Sequence, residues 1–146
     1  MLTTPDAAWS LDTGILMYAM AADSPPLKRQ VALKLMAQLF RHPQGGLVVQ
    51  VVSEYLSLVF GKKLAQPEFA LETVQLWSQM LRILDASAAA HQKAWALAAA
   101  HKYPVWDALT IASCAEHGIK ALYSENAGSL KRPLGVHIIN PFAETE

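Results

Sequence analysis

Short runs of mostly apolar residues alternate along the chain with longer segments whose apolar residues recur every three or four positions. Short apolar runs rich in β-branched residues favour buried strands. On this basis we predict strands at residues 8–11, 47–52, 120–123 and 136–139.

The longer segments predict helices, because apolar residues at helical spacing share one face. In a helix starting at Pro25-Pro26, the apolar residues at every fourth position are Leu27, Val31, Leu35 and Leu39. A helix over residues 68–84 has six apolar residues on the face that we expect to be buried: Phe69, Leu76, Trp77, Met80, Leu81 and Leu84. Further helices are predicted at residues 15–20, from residue 53 onward, and at 86–100 and 105–117.

Short strands that alternate with longer helices are typical of a parallel sheet covered on both faces. The predicted fold class is therefore α/β, a three-layer α/β/α sandwich with a central parallel sheet. The 146 residues fit one domain spanning residues 1–146, and a hydrophobic fraction of 53% provides a well-filled core.

Charge and cysteine content narrow the function further. Twelve Lys and Arg residues balance twelve Asp and Glu residues, so there is no overall basic field for nucleic acid or an anionic membrane. Cys114, as a single cysteine, excludes an internal disulfide and a multi-thiolate zinc site. With no signal peptide pattern and no apolar stretch of about 18 residues, we expect a cytoplasmic protein without a membrane partner.

Acidic residues stand where a parallel sheet would place a ligand site, at the carboxyl ends of its strands. Asp12 follows the first predicted strand, Glu54 lies just beyond the second, and Asp107 begins a helix. Three carboxylates that meet there would repel one another unless a cation neutralised them. Oxygen ligands of this kind favour Mg²⁺ or Mn²⁺.

Each carboxylate also has a purely structural interpretation. Asp12 can cap the helix that follows it, and Asp107 suits the dipole of a first helical turn. Glu54 can occupy an ordinary solvated helix position. These alternatives stay open for each residue singly.

Four segments, in order, resemble the motifs of PIN-domain proteins. Residues 11–18, LDTGILMY, are similar to the family's opening, and residues 51–55, VVSEY, to its second acidic motif. Residues 103–112, YPVWDALTIA, and 122–126, LYSEN, resemble the third and fourth, and Asn140-Pro141-Phe142 looks like a common family ending. The resemblance covers residues 8–143.

This resemblance implies a VapC-like toxin ribonuclease that uses one or two Mg²⁺ or Mn²⁺ ions to hydrolyse RNA. The matching metal ligands are Asp12, Glu54 and Asp107, and Asn126 matches the fourth catalytic position. Thr13, Ser124 and Glu125 are supporting candidates, of which Thr13 is a candidate to orient Asp12 or a water molecule. The resemblance also implies an RNA substrate, a homodimer and an antitoxin protein.

Two positions depart from the family pattern. Gly14 stands where the family has Asn, and Asn126 stands where it has Asp, so the fourth motif keeps an oxygen ligand but loses a charge. Glu125 is a weak candidate to replace the missing Asp, because the side chains of adjacent residues point in different directions. An alternative function is therefore a degenerate PIN domain that binds RNA or a protein partner without cleavage. Lys131 and Arg132 are candidate RNA contacts, although such pairs are also common in solvated turns.

Overall fold

The computed structural model describes residues 4–143 of the protein. Its strands are β1 (Trp9–Leu11), β2 (Gly46–Val48), β3 (Arg82–Leu84), β4 (Ala121–Tyr123) and β5 (His137–Ile139). Its α-helices are α1 (Thr13–Met20), α2 (Pro26–Arg41), α3 (Val49–Gly61), α4 (Pro67–Met80), α5 (Ala88–His101) and α6 (Val105–Glu116). A short 3₁₀ helix at Pro133–Gly135 precedes β5.

All strand pairs in the described residues are parallel. One sheet has the order β1-β4-β5, and β2 pairs with β3 beside it. The Ser10 hydroxyl in β1 donates to the Gly46 carbonyl oxygen at 2.6 Å, which places β2 next to β1. Every residue of β1, β2 and β4 is buried, so helices cover the sheet on both faces. The predicted α/β fold with a central parallel sheet is confirmed.

The register of the sheet decides where the candidate residues meet. Leu11 pairs with Tyr123, so β1 and β4 end at the same level. The Asp12 backbone N–H continues this pairing and donates to the Tyr123 carbonyl oxygen at 3.0 Å. The residues that follow β1 and β4 therefore leave the sheet side by side.

The predicted strand at residues 47–52 is wrong from Val49 onward. Only Gly46–Val48 pairs with a neighbouring strand, and α3 begins at Val49. Val51, Val52 and Tyr55 are buried on one face of this helix. Their packing outweighs the preference of β-branched residues for strands. Glu54 consequently lies in the second turn of a helix and not just past a strand.

The predicted helix over residues 68–84 is too long. Helix α4 ends at Met80, Leu81 adopts an extended backbone, and residues 82–84 form β3 against β2. The predicted buried face is also partly wrong, because Phe69, Leu76 and Met80 are exposed while Ala70 and Val74 are buried. Helical periodicity continued through residue 84 and concealed the strand.

The predicted buried face of α2 is correct at Leu35 and Leu39 and wrong at Leu27. Ala32, Leu35, Met36 and Leu39 are buried, whereas Leu27 is exposed. In the part of the chain that the structure describes, no helix has the length and apolar character needed to cross a bilayer.

Candidate functional site

A cleft of about 560 Å³ opens at the carboxyl ends of β1 and β4. Seven of the nine site residues predicted from sequence line it: Asp12, Thr13, Glu54, Asp107, Ser124, Glu125 and Asn126. The fold therefore brings together residues that are more than 100 positions apart in the chain.

Asp12 is held in place by the start of α1 and by the residue that follows β4. It is the N-terminal cap of α1, where its Oδ1 accepts from the Thr13 backbone N–H at 2.8 Å. Its Oδ2 accepts from the Ser124 hydroxyl, which follows β4, at 2.7 Å. Asp12 is thus a helix cap, as the structural interpretation predicted, and at the same time a carboxylate fixed at the cleft.

Glu54 reaches the cleft from α3 and is held by two neutral donors. The Thr13 hydroxyl donates to its Oε2 at 3.3 Å, and the Gln50 side-chain amide donates to its Oε1 at 2.6 Å. The Thr13 side chain therefore contacts Glu54, while only its backbone N–H contacts Asp12. Neutral donors satisfy a carboxylate without cancelling its charge.

Asp107 lies in the first turn of α6 and is half-buried. Burial, and then the negative charges of Asp12 and Glu54, raise the pKa of its carboxyl to about 6. Each of these effects disfavours the charged form. Asp107 therefore lies in the electrostatic field of the other two carboxylates, although it comes from a third element of the fold.

The chemistry of this donor set fits a hard divalent cation. All three groups offer carboxylate oxygens, and their mutual repulsion is relieved when a cation binds. Within residues 4–143, however, no three His, Cys, Asp or Glu side chains lie close enough to enclose an ion. An open arrangement of this kind suits Mg²⁺, which keeps several water molecules and takes few protein ligands.

The loop after β4 forms another wall of the cleft. Ser124 is buried against Asp12, whereas Asn126 is exposed at the rim. Gly14 borders the cleft as well, and a Cβ at this position would meet nothing within 4 Å. The two departures from the family pattern therefore both lie at the open edge of the cleft.

Glu125 is engaged with two partners. Its carboxylate accepts from the Tyr18 hydroxyl at 2.7 Å and pairs with the Lys28 ammonium at 2.5 Å. These hydrogen bonds, from Lys28 first and then Tyr18, lower the pKa of Glu125. Lys28 also lies over the rings of Tyr18 and Phe142. The charge of Glu125 is thus already balanced by a side chain of α2.

Two predicted RNA contacts lie elsewhere. Lys131 and Arg132 are exposed and do not line the cleft, and their backbone carbonyls accept from Ile138 and Gly135. Lys62, at the end of α3, does line the cleft.

Sequence reasoning missed the contacts of Gln50, Tyr18 and Lys28, because each depends on how separate helices pack.

A comparison with known protein families finds a match, which spans most of the chain. Residues 10–132 match the family model of the PIN domain. No curated protein matches the chain in sequence.

Solved structures share the fold at low sequence identity. The VapBC2 structure from Rickettsia felis, bound to a promoter DNA fragment, has a TM-score of 0.66 at 17% identity, covering 91% of this chain and 98% of that chain. VapC20 from Mycobacterium tuberculosis, described as a toxin that cleaves the sarcin-ricin loop, has a TM-score of 0.65 at 20% identity over 78% and 86%. A toxin-antitoxin complex from Klebsiella pneumoniae has a TM-score of 0.66 at 19% identity over 90% and 96%.

The family match spans most of the chain, and it includes most of β1 and all of α3, α6 and β4. The chain belongs to the PIN-domain family.

Proposed function

We propose that the protein is a metal-dependent endoribonuclease that hydrolyses RNA phosphodiester bonds, as the toxin of a toxin-antitoxin pair. The observation that carries this proposal is that Asp12, Glu54 and Asp107, which come from three separate parts of the fold, line one cleft. Clustered carboxylates cost stability in a metal-free protein, so their presence favours a role in binding a cation.

Asp12, Glu54 and Asp107 are the residues that would hold Mg²⁺ or Mn²⁺. When bound, such a cation supplies an activated water and stabilises negative charge on the phosphate. Ser124 and the Thr13 backbone N–H keep Asp12 in one orientation. Asn126 offers an uncharged oxygen at the rim, where it is suited to contact substrate or a water molecule.

Support for RNA as the substrate comes from family membership and from the fold shared with a sarcin-ricin loop cleaving toxin. The cleft is wide and bordered by Lys62, which suits a phosphate backbone. Lys131 and Arg132 remain candidates to contact RNA outside the cleft, because both side chains are exposed.

The proposal extends to partners and location. Complexes of toxins with antitoxins share this fold, which supports an antitoxin protein as a partner of this chain. We further propose a homodimer of single-domain chains acting in the cytoplasm. Size measurement of the purified protein tests the dimer, and co-purification with the product of a neighbouring reading frame tests the antitoxin.

Cleavage of mixed RNA oligonucleotides tests the activity. The wild-type protein should cut with Mn²⁺ or Mg²⁺ and stop when the metal is chelated, whereas Asp12→Asn should be inactive. Asp6→Asn, an exposed acidic residue outside the cleft, is the matched control and should cut normally. Binding of RNA without any metal-dependent cleavage would overturn the ribonuclease proposal and favour the degenerate, binding-only PIN domain.

A further inference from the structure

Gln50 joins two of the elements that carry cleft carboxylates. It lies in the first turn of α3, four residues before Glu54. Its side-chain amide nitrogen donates to Glu54 Oε1 at 2.6 Å and to the Trp106 carbonyl oxygen at 3.0 Å. Trp106 directly precedes Asp107 in α6. One amide group therefore contacts Glu54 and the helical turn that holds Asp107.

The orientation of this amide follows from the chemistry of its neighbours. Both Glu54 Oε1 and the Trp106 carbonyl are acceptors, so only the amide nitrogen can face them. Gln50 Oε1 is then buried, and it has no hydrogen-bond partner among the described residues. A side chain that leaves one polar atom unsatisfied is poorly explained by packing alone, because an apolar residue would fill the same space without that cost.

Building on the proposed metal-dependent activity, we propose that Gln50 is a positioning residue that orients Glu54 toward Asp12 and Asp107 for cation binding. A free glutamate side chain on a helix surface samples many rotamers, and ordering it upon binding weakens the binding. Gln50 and Thr13 each donate to a different oxygen of Glu54 and so fix its carboxylate plane. Each oxygen keeps a lone pair for a cation.

The bond to Trp106 adds a second constraint. The carbonyl of Trp106 lies within the N-terminal turn of α6, so the amide limits how far this turn can move from α3. A neutral group thereby links Glu54 to the helical turn that carries Asp107. A basic residue at position 50 would also bridge the two acceptors, but it would cancel the charge that attracts the cation.

Calorimetric Mn²⁺ binding by the full chain tests this role. Gln50→Met keeps the length of the side chain but removes its donor, and it should weaken Mn²⁺ binding by about 10- to 100-fold, the usual effect of losing a partner of a metal ligand. Gln75→Met, at an exposed position of α4, is the matched control and should bind like the wild type. In a Glu54→Gln background, the Gln50→Met change should cost less than about twofold, since the two residues act as one unit.

Hydrogen exchange of side-chain amides in the metal-free protein gives a readout that does not depend on cation binding. The Gln50 amide protons should exchange more slowly than those of Gln75 and should speed up in Glu54→Gln. Equally fast exchange at both glutamines of the wild type would overturn the inference, even if Gln50→Met does not fold.

The outcomes separate the two proposals. A wild type that binds no Mn²⁺ overturns the metal-dependent function and this inference with it. If the wild type binds Mn²⁺ and Gln50→Met binds it equally tightly, the role of Gln50 is overturned while the metal-dependent function stands. A loss that is equally large with Glu54 and with Gln at position 54 would also overturn it, because Gln50 would then act on stability and not through Glu54.

Discussion

The acidic side chains on the two walls of the cleft differ in the charge of the groups that hydrogen-bond to them. On one wall, Asp12, Glu54 and Asp107 come from three elements, and the hydrogen-bond donors that hold the first two are neutral. On the other wall, Glu125 is paired with the Lys28 ammonium. Neutral donors preserve a negative charge, whereas an ammonium cancels it.

This difference assigns different roles to the two walls. Burial, and then the uncompensated negative charge that the carboxylate wall concentrates, raise the pKa of Asp107 to about 6. The loop wall carries a lowered pKa at Glu125 and an uncharged Asn126. A cation is therefore drawn to the carboxylate wall, while the loop wall shapes the cleft and holds Asp12 through Ser124.

Removing a charge from the carboxylate wall should have the largest effect. Asp107→Asn should lower metal-dependent RNA cleavage by about 100-fold or more, because a cation and the groups that hold it contribute several kcal/mol to such a reaction. The fold should survive, since Asn also suits a first helical turn. Equal cleavage by matched amounts of folded wild type and Asp107→Asn would remove Asp107 from the site.

The same substitution should stabilise the metal-free protein. A carboxyl whose pKa is raised from 3.8 to about 6 by folding favours the folded state most below pH 4. That contribution is lost as the pH rises through 6. Asn does not ionise, so Asp107→Asn loses no stability as the pH rises. At pH 7 its free energy of unfolding should exceed that of the wild type by about 1–2 kcal/mol after allowance for solvent screening. Urea unfolding at pH 4 and pH 7 measures this, and the gain should shrink at pH 4.

Adding a charge to the loop wall should have an intermediate effect. Asn126→Asp places a carboxylate at the rim, and it should lower the Mg²⁺ concentration needed for half-maximal cleavage by about fivefold, the worth of one solvent-exposed charge pair. Without metal it should slightly destabilise the fold. If the substitution changes neither the Mg²⁺ concentration needed for cleavage nor the stability of the metal-free protein, Asn126 lies outside the field of the three carboxylates.

Substitutions in the Lys28–Glu125 pair should have the smallest effect. Replacing Lys28 and replacing Glu125 should change RNA binding in opposite directions. Lys28→Met leaves Glu125 uncompensated, so RNA binding should weaken, whereas Glu125→Gln leaves a net positive charge and should strengthen it. We expect changes of about two- to fivefold, the scale of a partly exposed ion pair. Binding of an RNA oligonucleotide at low salt without metal measures both. Weakening by both variants would mean that the pair acts only on structure.

Much of this arrangement was predictable from sequence, because it depends on local patterns. Asp12 follows an apolar run and precedes a helix, so its place at the sheet edge follows from chain order. Asp107 stands at a helix start marked by Pro104. The α/β class follows from the alternation of short and long apolar segments.

The remainder depends on packing between distant elements. β3 is three residues long and continues the helical pattern of α4, so only its pairing with β2 reveals it. Val49 begins a helix despite strand-favouring neighbours, because residues further along α3 are buried at helical spacing. The contacts of Gln50 and Lys28 join helices that no sequence period links.

The shift in melting temperature on adding Mn²⁺ tests the central claim most directly. At about 100 times the dissociation constant, Mn²⁺ should raise the melting temperature of the wild type by about 6–10 °C at pH 7. Asp12→Asn should lose most of this gain, whereas Asp6→Asn should keep it. A wild type whose melting temperature rises no more than that of Asp12→Asn, up to millimolar Mn²⁺, would contradict the claim that these carboxylates form one cation site.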